Sequence, residues 1–542
     1  MPDQATAFRN AGDSGMRKFI QAAVLAAMTG ATSAAMAATP ADTLVLALAF
    51  DDTISLDPAE VFEIAPSEFI GNTYERLIGY DPADPSKVSG VVAESWTGSA
   101  DGKTFTFKIR PDRKFASGNP ITAEDVVFSL QRAVILDKSP AFIIGQFGLT
   151  KDNVKDKIKQ TGPYELTIEV DKPYAPTFVL YCLTSTPAAV IDKKLVMQHE
   201  KDGDLGYNWL KTRYAGSGPF AIKDWRPNEV VVLERNPNYE HRTPLARVIY
   251  RMIKETSTQR LLLEKGDIDV ARNLGAEDID AVAKNQNVAV SSGRKGTIWY
   301  MGLNQKNPIL AKPEVREAMK YLVDYQAIAD TLLRHQAEVQ QYFLPQGFLG
   351  ALKDTPYKLD VTKAKELLAK AGYPDGFTVT IDARSVPRTM GTAQAIQQTM
   401  AQAGVKLEII PGDSKQTLTK YRARRHDIYL ADWGVDYPDP NTNADTFAAN
   451  DDNSDDAKAK PLTWRNSWDP GPLTAQTRSA VLEKDSGKRA AMYEDIQKGV
   501  TRNGPFILLF QQTEVWAARK NVSGFVIGPA AEMNLLGQVT KN

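Results

Sequence analysis

The chain has 542 residues, too many for a single hydrophobic core, so two or three domains are expected. Apolar residues make up 43% and charged residues 24%, which excludes a disordered chain. With 65 basic against 66 acidic side chains, there is no charge excess to attract nucleic acid or an anionic membrane.

Taken from the start, Arg17 and Lys18 precede a short apolar run at 19–28, and small residues at Ala35 and Ala37 suit a signal peptidase. Cleavage is expected after Ala37, with residues 1–15 as an upstream extension. The apolar run is too short to span a bilayer, and no cysteine follows it to carry a lipid. The mature protein is therefore expected to be exported and soluble. Its lone cysteine, Cys182, excludes an internal disulfide and reads as a buried structural thiol.

The mature part opens on an apolar strand at 43–50, "TLVLALAF". Phe105, Phe107 and Ile109 alternate with polar neighbours in a second strand at 104–110. Thr122 then caps a helix whose face carries Val126, Val127 and Leu130. Further strands are expected at 164–170 and, as a strand–turn–strand, within 216–239. A helix ending at Gly266 leads into a strand at 268–271. "KPEVREAMKYLVDYQAIADTLL" reads as one long amphipathic helix with Pro313 in its first turn. Two helix–glycine–strand units follow, through "DVTKAKELLAKAGYPDGFTVTI" and "GTAQAIQQTMAQAGVKLEII". "TLTKYRARRHDIYLADW" and "KRAAMYEDIQKGVTRNGPFILLF" then repeat the helix–strand order. Alternating helices and strands indicate α/β construction with mixed sheets. The acidic stretch 450–460 reads as a solvated loop.

Chemistry-bearing patterns are sparse. His199, His241, His335 and His426 are widely spaced and lack metal-ligand spacing. There is no nucleophile elbow, phosphate-cradling loop or Cys/His pairing, so neither catalytic residues nor a metal or cofactor is expected. The densest stretch is "DWGVDYPDP", 432–440. Asp439, Asn441, Asn443 and Asp445 follow the opening spacing of a calcium loop, but Ala444 stands where that loop needs glycine and Asn450 where it needs glutamate. Asp436 and Asp439 could form a hydrolytic carboxylate pair, although facing carboxylates usually come from separate elements. On the residues alone two readings stay open. Asp436 caps a turn while Trp433 and Tyr437 fill a core, or the carboxylate and aromatics wall a site for a ligand ammonium.

Several stretches together resemble one family, the bacterial extracellular solute-binding proteins of family 5, which serve peptide/nickel ABC importers. They are "VVAESWTGSADGKTFTFKIRPDRKFASGNPITAEDVVFSLQRA" (91–133), "GSGPFAIKDWRPNEVVVLERNPNYE", "LLLEKGDIDVA", "VREAMKYLVDYQAIAD" and "DIYLADWGVDYPDP", in the family's order. The resemblance implies a two-lobed periplasmic binding protein fold with mixed sheets, a hinge and an extra third domain. Domain I would comprise 38–74, 191–299 and 510–542, domain II 75–190, and domain III 300–509. It implies a monomeric receptor, not an enzyme, that hands di- or oligopeptides to an ABC permease without contacting nucleic acid. The alternatives are a non-peptide solute (an opine, oligosaccharide, haem or nickel complex) or, in another class, an exported hydrolase.

In the family's W-x-x-D-Y pattern an aspartate meets the peptide ammonium, which here is Asp436. Trp433 and Gly434 would line the cleft, Asp432 would offer its backbone, and Tyr437 would support. Phe62, Glu63 and Ile64 would supply backbone contacts from the other lobe. Leu430 occupies the position where some members carry an arginine for the peptide carboxylate, and Arg465 is the candidate replacement.

Overall fold

The computed structural model describes residues 39–82 and 84–542. The expected signal segment and its cleavage site lie outside the described residues.

Hydrophobic alternation is realised mainly in one 11-stranded mixed sheet. Thr43–Leu48 is buried along its whole length and pairs in parallel with Arg247–Met252, which continues antiparallel to Val230–Arg235 and Phe220–Arg226. At the other end, Phe377–Arg384 lies parallel between Val405–Gly412 and Ile428–Trp433. Two long antiparallel strands, Val288–Leu303 and Phe506–Arg519, join the two ends, and their register breaks between Arg294 and Ile298. A break of this kind locally unpairs the ladder and bends it.

Apolar packing is divided along the sheet. One cluster gathers Leu46, Leu233, Tyr250 and Trp516, another Met301, Ile381, Leu407 and Leu430, and a third Tyr300, Tyr429, Phe447 and Phe506. A separate four-stranded antiparallel sheet holds Thr104–Ile109 and Glu165–Glu169, with Phe107, Leu130 and Phe178 in its own cluster. The fold is thus mixed α/β, as the alternation of elements predicts.

Local signals carry most elements. The helix Ala123–Leu136 begins at Thr122, whose N–H donates to Asp125 Oδ2 at 3.0 Å. Gly266 ends Thr256–Lys265 at φ 89°, a conformation in which a side chain would be strained. Cys182 is fully buried at the end of Pro176–Cys182, and burial raises its thiol well above the ordinary value.

Two expectations need correction. The strand at 268–271 is only Val270–Ala271. The single helix expected after Pro313 is two, Pro313–Lys320 and Tyr325–Asp330. Asp324 restarts the second by accepting the Ala327 N–H, and the buried Lys320 ends the first by turning its Nζ to the Thr501 carbonyl. The calcium-like spacing folds instead as the helix Asn441–Ala448, with Asp439 committed to an arginine.

Candidate functional site

In open α/β sheets ligands bind beyond the carboxyl ends of parallel strands, where the chain leaves the sheet. Phe377–Arg384 and Ile428–Trp433 end side by side here, and the segment 434–440 continues from the second. Gly434 is exposed, and a Cβ there would meet only Thr297 Oγ1, at 3.9 Å, an ordinary contact. A Cβ on Gly296 would stand 2.3 Å from Val435 Cγ2, so that glycine lets the segment lie directly on the crossing strand.

Within this segment the residues divide. Tyr437 is buried against Phe178 with ring centroids 6.0 Å apart, and its hydroxyl donates to Gln146 Oε1 at 3.3 Å. It ties the segment to the four-stranded domain and supports it. Asp439 is fully buried and receives Arg489 through two nitrogens, at 2.7 and 2.8 Å, as well as the Asn441 N–H at 2.9 Å. It is more than a turn residue, because it carries a complete bidentate ion pair. Asp432 is met by Arg384 Nη2.

Asp436 is different. No basic side chain pairs with its carboxylate among the described residues. Its N–H donates to Thr442 Oγ1 at 3.2 Å, and that hydroxyl stands 3.5 Å from Oδ2. Burial, with a contribution from the Glu532 carboxylate, pushes Asp436 up to about 7. Trp433, at the strand end, is half-buried, and its indole N–H has no partner among the described residues.

The second group of candidates lies at the start of the helix Ile64–Thr73. Glu63 occupies its N-cap position without a side-chain cap, and its carboxylate accepts the Phe62 N–H at 3.3 Å. Phe62 and Ile64 are exposed, unusual for large apolar side chains, and the Phe62 ring meets Phe142 edge-on at 5.9 Å. Burial, then Glu63, raises nearby Asp52 to about 6. The far end of this helix packs on Glu532: a Cβ on Gly71 would fall 2.1 Å from the Glu532 carbonyl oxygen. Met533, next to Glu532, shares an apolar cluster with Tyr80 and with Tyr437, the neighbour of Asp436.

Arg465 donates from Nε to the Lys460 carbonyl at 3.0 Å, and its guanidinium lies 5.7 Å from the Tyr421 ring. Leu430 is fully buried in the apolar cluster. The cations at the carboxyl ends of the strands are Arg384 and Arg388. Arg388 lies over the Trp299 ring at 4.6 Å, with no hydrogen bond or ion pair for its guanidinium among the described residues. Burial lowers its pKa. Sequence reasoning missed both arginines and Glu532. The signal for the arginines is "ARSVPRT", two guanidinium groups bracketing the proline that starts a helix directly after a strand.

Together these features provide an uncompensated carboxylate, an unpaired guanidinium and exposed aromatic surface at one end of a sheet. Such a set suits the capture of a ligand carrying charges of both signs. No arrangement of nucleophile and base accompanies it among the residues described above.

Comparison with known proteins agrees in kind. Residues 87–455 match the model described as bacterial extracellular solute-binding proteins, family 5 Middle. The probable D,D-dipeptide-binding periplasmic protein DdpA of Escherichia coli is 29% identical over 506 residues, covering 92% of this chain and 94% of that protein. The glutathione-binding protein GsiB of Salmonella typhimurium is 26% identical over 528 residues, covering 95% and 98%. Among solved structures, the periplasmic binding protein DppA from Helicobacter pylori in complex with peptide STSA superposes with a TM-score of 0.78 at 24% identity, over 92% of this chain and 98% of that one. This likeness establishes the periplasmic binding protein fold. The chain belongs to the bacterial extracellular solute-binding proteins of family 5, the substrate-binding components of ABC importers.

Proposed function

We propose that the solute this receptor captures is a di- or oligopeptide with a free amino end, held between lobes that close about the two crossing strands. The observation that carries the reading is Asp436, a desolvated carboxylate without a cation at the carboxyl end of a parallel strand. A peptide ammonium supplies the missing charge, and the low-dielectric surroundings strengthen the pair. Trp433 offers its unpaired indole N–H, Gly434 leaves room for the ligand backbone, and the Asp432 main chain borders the same edge. Phe62, Glu63 and Ile64 face the ligand from the other lobe. Arg388, with Arg384 behind it, takes the anionic end in place of Arg465. Tyr437 positions the loop without touching the ligand.

In the same reading the lobes are domain I at 38–74, 191–299 and 510–542, domain II at 75–190, and domain III at 300–509. In this reading the mature protein is a periplasmic monomer, has no catalytic activity and no nucleic-acid partner, and closure on peptide is the state its permease reads. The relatives named for dipeptide and glutathione binding support a peptide over an opine, sugar or metal complex.

The test is mass spectrometry of ligand released from gently purified protein, followed by thermal shift with synthetic peptides. A peptide in the released fraction and a raised melting temperature with the same peptide are expected. A sugar, porphyrin or metal chelate in the released fraction would overturn the peptide assignment.

A further inference from the structure

We propose that Glu532 completes the amine seat, so that the ligand ammonium is held between two carboxylates, Asp436 and Glu532, that approach from different segments of the fold. The inference rests on the peptide reading above and names a residue that neither the motif nor the comparisons point to.

Glu532 lies on the single 3-10 turn Ala531–Met533, near the end of the chain. The helix Ile64–Thr73 fixes that turn from behind. Gly71 lies against the Glu532 main chain, too close for any side chain. One residue on, Asn72 donates to the Asn534 carbonyl at 2.7 Å and accepts the Leu536 N–H at 2.8 Å. The Glu532 backbone therefore has little freedom, and its carboxylate projects from a rigid support.

That carboxylate is 93% buried in residue terms, at 7% exposure, and no side chain donates to it or pairs with it among the described residues. The charged and titratable groups facing it are Arg76, Lys295, Tyr80 and Asp436. Neither cation closes an ion pair with it. Lys295 spends its ammonium on the Gly528 carbonyl at 2.5 Å, the Ala530 carbonyl at 3.1 Å and Asn534 Oδ1 at 3.1 Å, with Glu514 at 3.4 Å. Arg76 turns Nε to the Thr184 carbonyl at 2.7 Å.

An acidic pair alone would not define a site. Here two buried donors are also left without partners beside it: Arg76 Nη2, on a residue 7% exposed, and the Tyr80 hydroxyl, on a residue 4% exposed. Leaving buried donors and acceptors unpaired is costly, so the set has the makings of a site completed by a ligand. The free amino end of a peptide offers the matching set. Its ammonium has three protons to share between two carboxylates, and its first carbonyl oxygen, a few bonds away, can accept from Tyr80 or Arg76.

Both carboxyls are raised by burial, and the Glu532 carboxylate raises Asp436 further. The empty seat therefore retains a proton near neutrality, and an arriving ammonium expels it.

The test is isothermal titration of trialanine and N-acetyl-trialanine into wild type, Glu532→Gln and Glu532→Asp at pH 6 and pH 8, with unliganded melting temperatures as the folding control. Trialanine is expected to bind Glu532→Gln at least tenfold more weakly than wild type, with most of the affinity returning in Glu532→Asp. The acetylated peptide should bind the wild type and Glu532→Gln with equal, weak affinity. For wild type, trialanine binding at pH 6 should release protons, read as a dependence of the heat on buffer ionisation enthalpy. Equal trialanine affinity for wild type and Glu532→Gln would overturn the role of Glu532 while leaving the peptide reading standing. If Glu532→Gln does not fold, Glu532→Asp decides: undiminished trialanine affinity together with no proton release at pH 6 overturns the role. Trialanine that fails to bind wild type overturns the peptide reading first, and the amine seat with it.

Discussion

Two partly buried acidic centres in this molecule are built in opposite ways. Around the crossing strands, Glu514 receives Arg272, the Trp516 indole N–H at 3.0 Å and Lys295 at 3.4 Å, while Arg272 also reaches Glu68 at 2.8 and 2.9 Å and stacks on Trp516. Beyond the strand Ile428–Trp433, Asp436 has a hydroxyl at 3.5 Å and no cation among the described residues. Burial acts to raise both carboxyls. At Glu514 the neighbouring Arg272 and Lys295 outweigh it and hold the group down at about 2, whereas at Asp436 nothing does and the group stays at about 7. A structural carboxylate brings its own counter-ion; one that serves a ligand leaves that place open.

The largest effect is expected where the counter-ion is removed. Arg272→Ala leaves Glu68 and Glu514 buried without their shared cation and should cost about 3–5 kcal/mol of unfolding free energy in urea. The same substitution should leave peptide affinity within a few-fold of wild type in whatever fraction remains folded. If stability is unchanged, the contrast between the two centres collapses.

Asp436→Asn reverses the expectation. Peptide affinity should fall on the order of 100-fold, consistent with the few kcal/mol lost when one partner of a buried charge pair is truncated. Unliganded stability should hold or rise, because an unpaired charge has been removed. A large loss of unliganded stability would instead favour Asp436 as the cap of its own loop, through Thr442.

Proton linkage separates the centres again. Glu514 is depressed from 4.5 to about 2, so its stabilisation is complete above pH 4.5 and is lost as pH falls toward 2. Asp436 is raised from 3.8 to about 7, so the unliganded protein retains this proton on folding and loses stability as pH rises from 3.8 to 7. Ligand inverts the second effect: an ammonium stabilises the ionised form, so affinity should be full above pH 7 and fall by up to tenfold per pH unit below it. Thermal melts from pH 2 to 8, with and without peptide, read all three limbs. Asp436→Asn should flatten the neutral limb and leave the acid limb intact.

How much of this was legible in the sequence depends on the range of each signal. The strand 104–110 and the helix after Thr122 are written in neighbouring residues, through period-two alternation and a cap, and the fold keeps them. The break at 321–324 is hidden because Tyr321, Leu322 and Val323 continue the apolar pattern. The local signal is the cap of Asp324 on Ala327, whereas the burial of Lys320 depends on Thr501, far along the chain. The same limit applies to the site. Asp436 stands in a motif that could be named, but whether Asp436 or Asp439 is unpaired depends on Arg489, 50 positions from Asp439. Glu532 sits in "AAEMNLL", which has no pattern at all. Its position follows from the grip of the helix Ile64–Thr73, more than 450 residues upstream in the chain.

The smallest effect belongs to the opposite end of the ligand. Arg388 rests on the face of Trp299, where its charge is partly satisfied by the ring quadrupole, and it can recruit a carboxylate only by turning from that face. Arg384 is already engaged with Asp432, so the local charge available to an anion is close to one unit rather than two. Arg388→Gln should therefore weaken peptides with a free carboxylate by about five- to tenfold, the range of a single half-exposed charge-assisted bond. Amidated peptides should bind wild type and variant alike. That difference between two ends of one ligand has the same origin as the difference between the two acidic centres. Asp436 has no internal cation to give up among the described residues, whereas Arg388 must leave its ring, so the amino end is expected to dominate affinity and the carboxyl end to trim it. Equal losses for free and amidated peptides would show that Arg388 acts by packing Trp299 instead of by charge.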